Sequence, residues 1–287
     1  MATRRLDPNL KYALQRLAFF AAIALVTFVL ASMAFVWILG KGELLVIAVA
    51  STFTAASVAT AISLRVFARG QLADIGLGWS GASRRNLLVG LLGGMGAAMA
   101  VLLIPVAFRL AAIHRAPDQH FAWQNLVFFT VIFIFGATSE EMLFHGYGFQ
   151  VFMRGTGPFG AIVPFGLLFA FMHAQNPAFG LLPFLNTILW GILLGYAFWC
   201  SGDLWLPIGL HFGWNWVLPM LGDNLSGLTM RITGCAMNWN IGDLWSGGAY
   251  GVEGGLLTTA IVIVLFVYLR KAPIAPQEPY LLYKDRS

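Results

Sequence analysis

The chain has 287 residues, 59% apolar and only 10% charged. Soluble domains carry about 25% charged and about 45–50% apolar residues, so the composition argues against a water-soluble globule, and intrinsic disorder is excluded on the same grounds. The two cysteines, Cys200 and Cys235, cannot build a disulfide framework, a CxxC redox pair or a cysteine zinc site, and the formal charge of +5 has to be read from where the charges lie.

Eight stretches meet or approach the roughly 18 apolar residues needed to cross a bilayer: 17–39, 44–64, 86–107, 123–150, 159–175, 181–200, 204–220 and 255–270. Every backbone polar group in lipid must be satisfied within the segment, which predicts helices. The first stretch follows Arg4, Arg5, Lys11 and Arg16. It is too long for a signal-peptide core and no A-x-A-like site follows, so it reads as a retained helix. The expected fold is an all-α integral membrane protein of about eight helices enclosing an intramembrane catalytic cavity. Three regions are expected: 1–110, three helices with a basic loop at 65–85; 111–220, a catalytic helical core; and 221–287, an external loop, a last span and a tail.

With the N-terminus placed inside, the inner segments hold Arg4, Arg5, Lys11, Arg16, Arg65, Arg69, Arg84, Arg85, Arg154, Arg270, Lys271, Lys284 and Arg286. The outer segments hold Lys41, Arg109, Arg115 and Arg231. This 13-to-4 split of the 17 basic residues predicts two cytoplasmic termini in a bacterial-type inner membrane. The basic loop fits anionic headgroups. Nucleic acid is the weaker partner, because no stacking platform accompanies the charge. Gly90 and Gly94, and Gly191 and Gly195, form G-x-x-x-G pairs suited to close helix packing. The stretch 221–254, with Trp239 and Trp245, is expected to cap the outer face. The tail from Ala272, with three prolines, is expected to be loose.

Five ionisable residues fall inside apolar stretches: Glu140, Glu141, His145, His173 and His211. An acidic residue at mid-bilayer costs about 2.5–3.5 kcal/mol on insertion scales, so its default reading is a functional site facing the bundle interior. Positions i and i+4 share a helix face, which pairs Glu141 with His145, Phe169 with His173, and His211 with Asn215. Carboxylates, imidazoles and a carboxamide from three helices are the ligand chemistry of a catalytic Zn²⁺ with an open water position; Glu140, His173 and His211 are the candidate ligands. A glutamate-activated water without metal is equally compatible. No H-E-x-x-H is present, which removes a zincin-type site.

The strings S-E-E-M-L-F-H-G (139–146), F-A-F-M-H (169–173) and H-F-G-W-N (211–215) resemble the three-motif pattern of the CPBP intramembrane proteases, E-E-x-x-x-R, F-x-x-x-H and H-x-x-x-N. That family includes type II CAAX prenyl proteases and bacterial Abi-type proteins. The resemblance covers roughly 123–220 and implies a helical membrane endopeptidase acting on a membrane-associated peptide or protein, of CAAX or lipid-anchored type. It implies that Glu140 and His173 hold and activate the water. His211 and Asn215 would stabilise the oxyanion or help bind metal, and Glu141 would support the site. One position departs: the motif arginine is His145 here, which supplies neither a permanent charge nor a fork of donors. His145 either takes over that duty or is an extra ligand beside Glu141. Other classes compete. Buried Glu and His also serve proton- or ion-coupled transporters, although no repeat symmetry is visible. The His145 departure keeps an inactive scaffold or immunity-like protein in play. The G-x-S-G string at Ser80 matches a rhomboid-like serine protease but leaves both glutamates unexplained.

Overall fold

A computed structural model describes residues 9–116, 121–230 and 232–283. The basic residues Arg4, Arg5, Arg231, Lys284 and Arg286, on which part of the orientation argument rests, lie outside the described residues. The chain runs through α1 (Leu10–Leu39), α2 (Leu44–Phe67), α3 (Gly81–Ala107), β1 (Ala111–Arg115), α4 (Trp123–Phe144), α5 (Tyr147–Thr156), α6 (Pro158–Met172), α7 (Leu181–Ser201), α8 (Trp205–Met220), β2 (Cys235–Trp239), α9 (Asp243–Ser246), α10 (Leu256–Lys271) and α11 (Tyr280–Tyr283).

Among the described residues, five helical segments are long and apolar enough to cross a membrane: α1, α2, α3, α4 taken together with α5, and α7. The other three expected spans are shorter. Helix α6 has 15 residues, and α8 and α10 have 16 each. At 1.5 Å per residue they are about 22–24 Å long, against about 30 Å of hydrocarbon. Much of the apolar surface points outward; on α1, Leu25, Leu30, Met33 and Trp37 are exposed, as lipid-facing positions should be.

The expected continuous helix over 123–150 is broken. Helix α4 ends at Phe144, His145 is its C-cap and Gly146 begins the turn into α5. A Cβ on Gly146 would stand 2.1 Å from the Met142 carbonyl oxygen, so the chain folds back on the last turn of α4 only because this residue has no side chain.

Glycines also fix α3 against α8. A Cβ on Gly90 or Gly94 would meet the Leu206 or Leu210 carbonyl at 2.3 or 2.1 Å, and one on Gly209 would meet the Leu87 carbonyl at 2.5 Å. The two helices run in the same direction with their backbones in contact, as small-residue pairs allow in membranes. His211 lies between Gly209 and Gly213 on that seam, so its register is set by backbone packing. Gly191 of the second pair packs on Gly166 of α6, while a Cβ on Gly195 would stand 3.5 Å from the His145 ring.

Two apolar cores result. One gathers α3, α7, α8 and α10 around Leu102, Leu193, Leu210, Trp214 and Val262. The other gathers α1, α2, α5 and α6 around Ala56, Ala59, Tyr147, Phe149 and Ala161. The end of α4 lies between them, with Phe144 in the first and Met142 in the second.

Two expectations are corrected. The fold is mostly but not wholly helical: β1 and β2 pair antiparallel, Ala111 opposite Trp239 through Arg115 opposite Cys235. Both strands lie in polar connections between helices, where water can satisfy their outer edges. The tail is also not loose over its described length. Ala275 donates its N–H to Asn86 Oδ1 at 2.8 Å and accepts from Asn86 Nδ2 at 2.9 Å. The Gln277 N–H bonds the Ser201 carbonyl at 2.7 Å, and its side-chain amide donates to Asp203. Leu281 and Leu282 are buried in the second core.

Candidate active site

Four polar residues converge where α4, α6 and α8 meet. Glu141 is fully buried and accepts two hydrogen bonds, from His145 Nδ1 into Oε2 at 2.6 Å and from His211 Nδ1 into Oε1 at 2.8 Å. One carboxylate thus holds two imidazoles, each committed through Nδ1. His173, capping α6, bonds the Phe169 carbonyl through Nδ1 at 2.7 Å. A carbonyl only accepts, so His173 carries its proton on Nδ1; the Glu141 carboxylate imposes the same tautomer on His211. In the neutral form of either ring the Nε2 lone pair is then free; both Nε2 atoms face Glu140, whose Oε2 lies 3.8 Å from His173 Nε2 and 3.9 Å from His211 Nε2.

That Glu140 oxygen is buried and has no hydrogen-bond partner among the described residues, although 29% of the side chain is exposed. An unpartnered buried carboxylate oxygen is costly, and two nitrogen lone pairs at 3.8–3.9 Å cannot satisfy it. A water bonded at about 2.8 Å to Glu140 and an imidazole would span such a gap. Phe169 closes one wall, its ring 4.5 Å from His173 and 6.1 Å from His211 between centroids, with Phe144 edge-on to it at 5.2 Å.

The residues singled out from the sequence separate into distinct places. Glu140, His173 and His211 come together on three helices. Glu141 lies behind His211. His145 bonds Glu141, while its Nε2 is buried without a partner against Gly195; it faces away from the Glu140 cluster and takes no place in the candidate ligand set. Asn215, one turn beyond His211, is half-buried with no hydrogen-bond partner among the described residues. Ser80 is the N-cap of α3, its hydroxyl accepting the Ser83 N–H at 3.1 Å, a structural duty that accounts for the G-x-S-G string.

Sequence reasoning missed two supports. Gln150 of α5 is buried and donates to the His145 carbonyl at 3.2 Å and the Ile75 carbonyl at 2.9 Å, satisfying a carbonyl that the helix break releases. A glutamine within an apolar helix is the local signal that could have found it. Glu253 accepts from Trp214 Nε1 at 2.9 Å and from the Ser226 N–H at 2.6 Å, tying α8 to the cap; nothing in its local sequence marks it.

The donor set of Glu140, His173 and His211 has the chemistry of a zinc site, with Glu141 behind His211 as an orienting carboxylate. The spacing is wider than that of an occupied site. Ligands at about 2.0–2.2 Å around a tetrahedral ion lie about 3.4 Å apart, whereas these atoms are 3.8 and 3.9 Å apart. Among the described residues no group of three or more His, Cys, Asp or Glu is arranged to hold a metal ion.

Residues 122–217 match the family model described as Type II CAAX prenyl endopeptidase Rce1-like. The matched third of the chain holds all three motifs and every residue of the cluster, and its family is the one the motifs resemble. At family level the match supports a CAAX-type intramembrane endopeptidase, and with the apolar helices it supports an integral membrane protein acting on a membrane-associated substrate. No curated protein and no solved structure matches the chain.

Proposed function

We propose that the chain hydrolyses a peptide bond in a membrane-associated, CAAX-type or lipid-anchored substrate, with a water activated by Glu140 and no metal. The observation that carries this reading is the buried, unpartnered Glu140 Oε2 facing two Nε2 lone pairs. A water in that space donates one hydrogen to Glu140 and the other to His173 or His211. As its oxygen forms a bond to the scissile carbonyl carbon, Glu140 takes the proton and the carbonyl oxygen gains charge. Asn215, one turn from His211, supplies an amide donor for that charge, the role the family resemblance gives it. Breakage of the C–N bond then returns the Glu140 proton to the leaving amine. Glu141 and His145 do not touch the reacting atoms; they hold His211 in orientation and tautomer. In this reading His145 does what the motif arginine would do, fixing the second glutamate.

The basic asymmetry supports placing both termini in the cytoplasm, and eight crossings follow if α6, α8 and α10 each traverse at a locally thinned bilayer. The test is cleavage of a farnesylated CAAX-type reporter peptide by purified chain in liposomes, with and without a zinc chelator and after metal analysis. Cleavage that survives chelation and disappears with Glu140→Gln is the expected result. Loss on chelation with recovery on added zinc refutes the metal-free reading.

A further inference from the structure

A second site lies on the α2 side of α4. A cavity of about 620 Å³ is bounded by Ser57, Ala61 and Leu64 of α2, Leu72 of the following turn and Met142 of α4, with Arg65, Arg69 and Gln71 at its edge. The volume falls in the range of small-molecule sites, about 300–1,000 Å³. The lining is mainly apolar and includes two arginines. Ala61, Arg65 and Arg69 are exposed, so the cavity opens to the outside of the helix bundle. Asp74 lies under Gly70 and accepts the Gln71 N–H at 2.6 Å, and it and Arg69 each have a further partner within the fold. Arg69 adopts a left-handed backbone, φ 46°, a conformation that a long side chain rarely takes and that recurs at ligand clamps.

The depth of the site identifies the occupant. Helix α2 has 24 residues, about 36 Å, and exceeds the roughly 30 Å hydrocarbon slab. Its last turn, which holds Arg65, therefore reaches the headgroup layer. Trp79, exposed in the same connection to α3 and packed edge-on against Trp205 at 4.8 Å, is the kind of residue that marks that layer. An apolar slot entered from the bilayer and closed at phosphate depth by two arginines fits one chemistry: an acyl chain carrying an anionic phosphate. Arginine's planar fork suits phosphate oxygens.

We infer that the Arg65–Arg69 cavity is a binding site for an anionic phospholipid of the surrounding bilayer, with the acyl chain between α2 and α4 and the headgroup phosphate on the two arginines. The site does not depend on the protease reading. It shares α4 with the glutamate cluster, but none of its lining side chains belongs to that cluster.

The full-length chain in neutral detergent is titrated with dioctanoyl phosphatidylglycerol, dioctanoyl phosphatidylcholine and inorganic phosphate, with binding read by native mass spectrometry. Phosphatidylglycerol is expected to bind, and phosphatidylcholine and phosphate to bind far more weakly. At about 1 kcal/mol per basic residue near anionic lipid, Arg65→Gln with Arg69→Gln should weaken phosphatidylglycerol by about thirty-fold. Ala61→Phe fills the slot, leaves both arginines in place and should also abolish binding. Glu140→Gln should bind like the native chain, which separates failure here from failure of the catalytic reading. Equal binding of both lipids overturns the inference, as does binding untouched by both cavity variants. Displacement by a farnesylated peptide but not by phosphatidylglycerol also overturns it, because the occupant would then be a substrate anchor.

Discussion

Glu141→Gln is the most informative single substitution, because Glu141 serves two histidines at once. Its Oε1 and Oε2 accept from His211 and His145 at 2.8 and 2.6 Å, in a site with no exposure to solvent. Glutamine has nearly the same shape but offers one acceptor and one donor. Its amide group must face one of the two histidines, and that ring must move its proton from Nδ1 to Nε2. If the amide faces His145, the displaced proton meets no partner, since His145 Nε2 is already buried and unpaired. If it faces His211, Nε2 turns from acceptor to donor toward Glu140 and the water loses a lone pair. Hydrogen bonds to charged groups contribute about 1.5–3 kcal/mol each, so the loss of the charge lowers stability by about that much. Substitution of an orienting partner of this kind typically lowers activity by about 10–100-fold, or about 1.4–2.7 kcal/mol of barrier. The assay is cleavage of the CAAX-type reporter in liposomes, with ¹⁵N-histidine spectra reporting the tautomer. The expected result is a folded protein, kcat reduced about 10–100-fold, KM little changed and a changed tautomer at one histidine. Native kcat with His211 still protonated on Nδ1 would refute the argument that Glu141 positions this ring.

Glu140→Gln should lower cleavage by about 10²–10⁴-fold, the usual contribution of general acid–base catalysis, and His173→Ala should be comparably severe; both are measured with the fold checked by thermal unfolding. Asn215→Ala should cost about 10²–10³-fold in kcat, the range for one oxyanion donor, and an unchanged kcat removes it from that role. Gly146→Ala places a methyl about 2.1 Å from the Met142 carbonyl and should destabilise the chain and distort the site together, seen as a lower unfolding temperature and lost cleavage. In the cap, burial first, helped by the nearby Glu253 charge, raises Asp223 from 3.8 to about 6, against the Val252 and Trp239 hydrogen bonds that lower it. A raised folded pKa gives stability that is full below about 3.8 and lost as pH rises through about 6. The difference is about 3 kcal/mol at 1.36 kcal/mol per unit. The stability of the native chain relative to Asp223→Asn should therefore fall between about pH 4 and about pH 7, as read by thermal unfolding; a difference that is flat with pH refutes the burial argument.

Composition and local spacing were enough to place the chain in lipid and to single out its ionisable residues. Low charge and long apolar runs require helices in lipid, because backbone polar groups have no other partners there. The cost of burying charge makes Glu140, Glu141, His145, His173 and His211 conspicuous, and the i, i+4 rule pairs Glu141 with His145 from spacing alone. Motif order carries the family resemblance, because three short strings in sequence are a local property of the chain. Relations between distant residues come only from the folded chain. His173 lies well beyond the centre of its apolar run, yet its Nε2 is 3.8 Å from Glu140; α6 ends at this histidine instead of continuing past it, which no hydropathy window reveals. The break at His145–Gly146 depends on a 2.1 Å backbone approach, not on propensity. The tail is ordered because its partners, Asn86, Ser201 and Asp203, are 74 or more residues away in sequence, and a proline-containing segment gives no local sign of them. The division of labour between the two glutamates is the clearest case. They are adjacent in sequence and identical in chemistry, but about 100° apart around a helix. One therefore lies wholly between two histidines, and the other keeps a free oxygen for water.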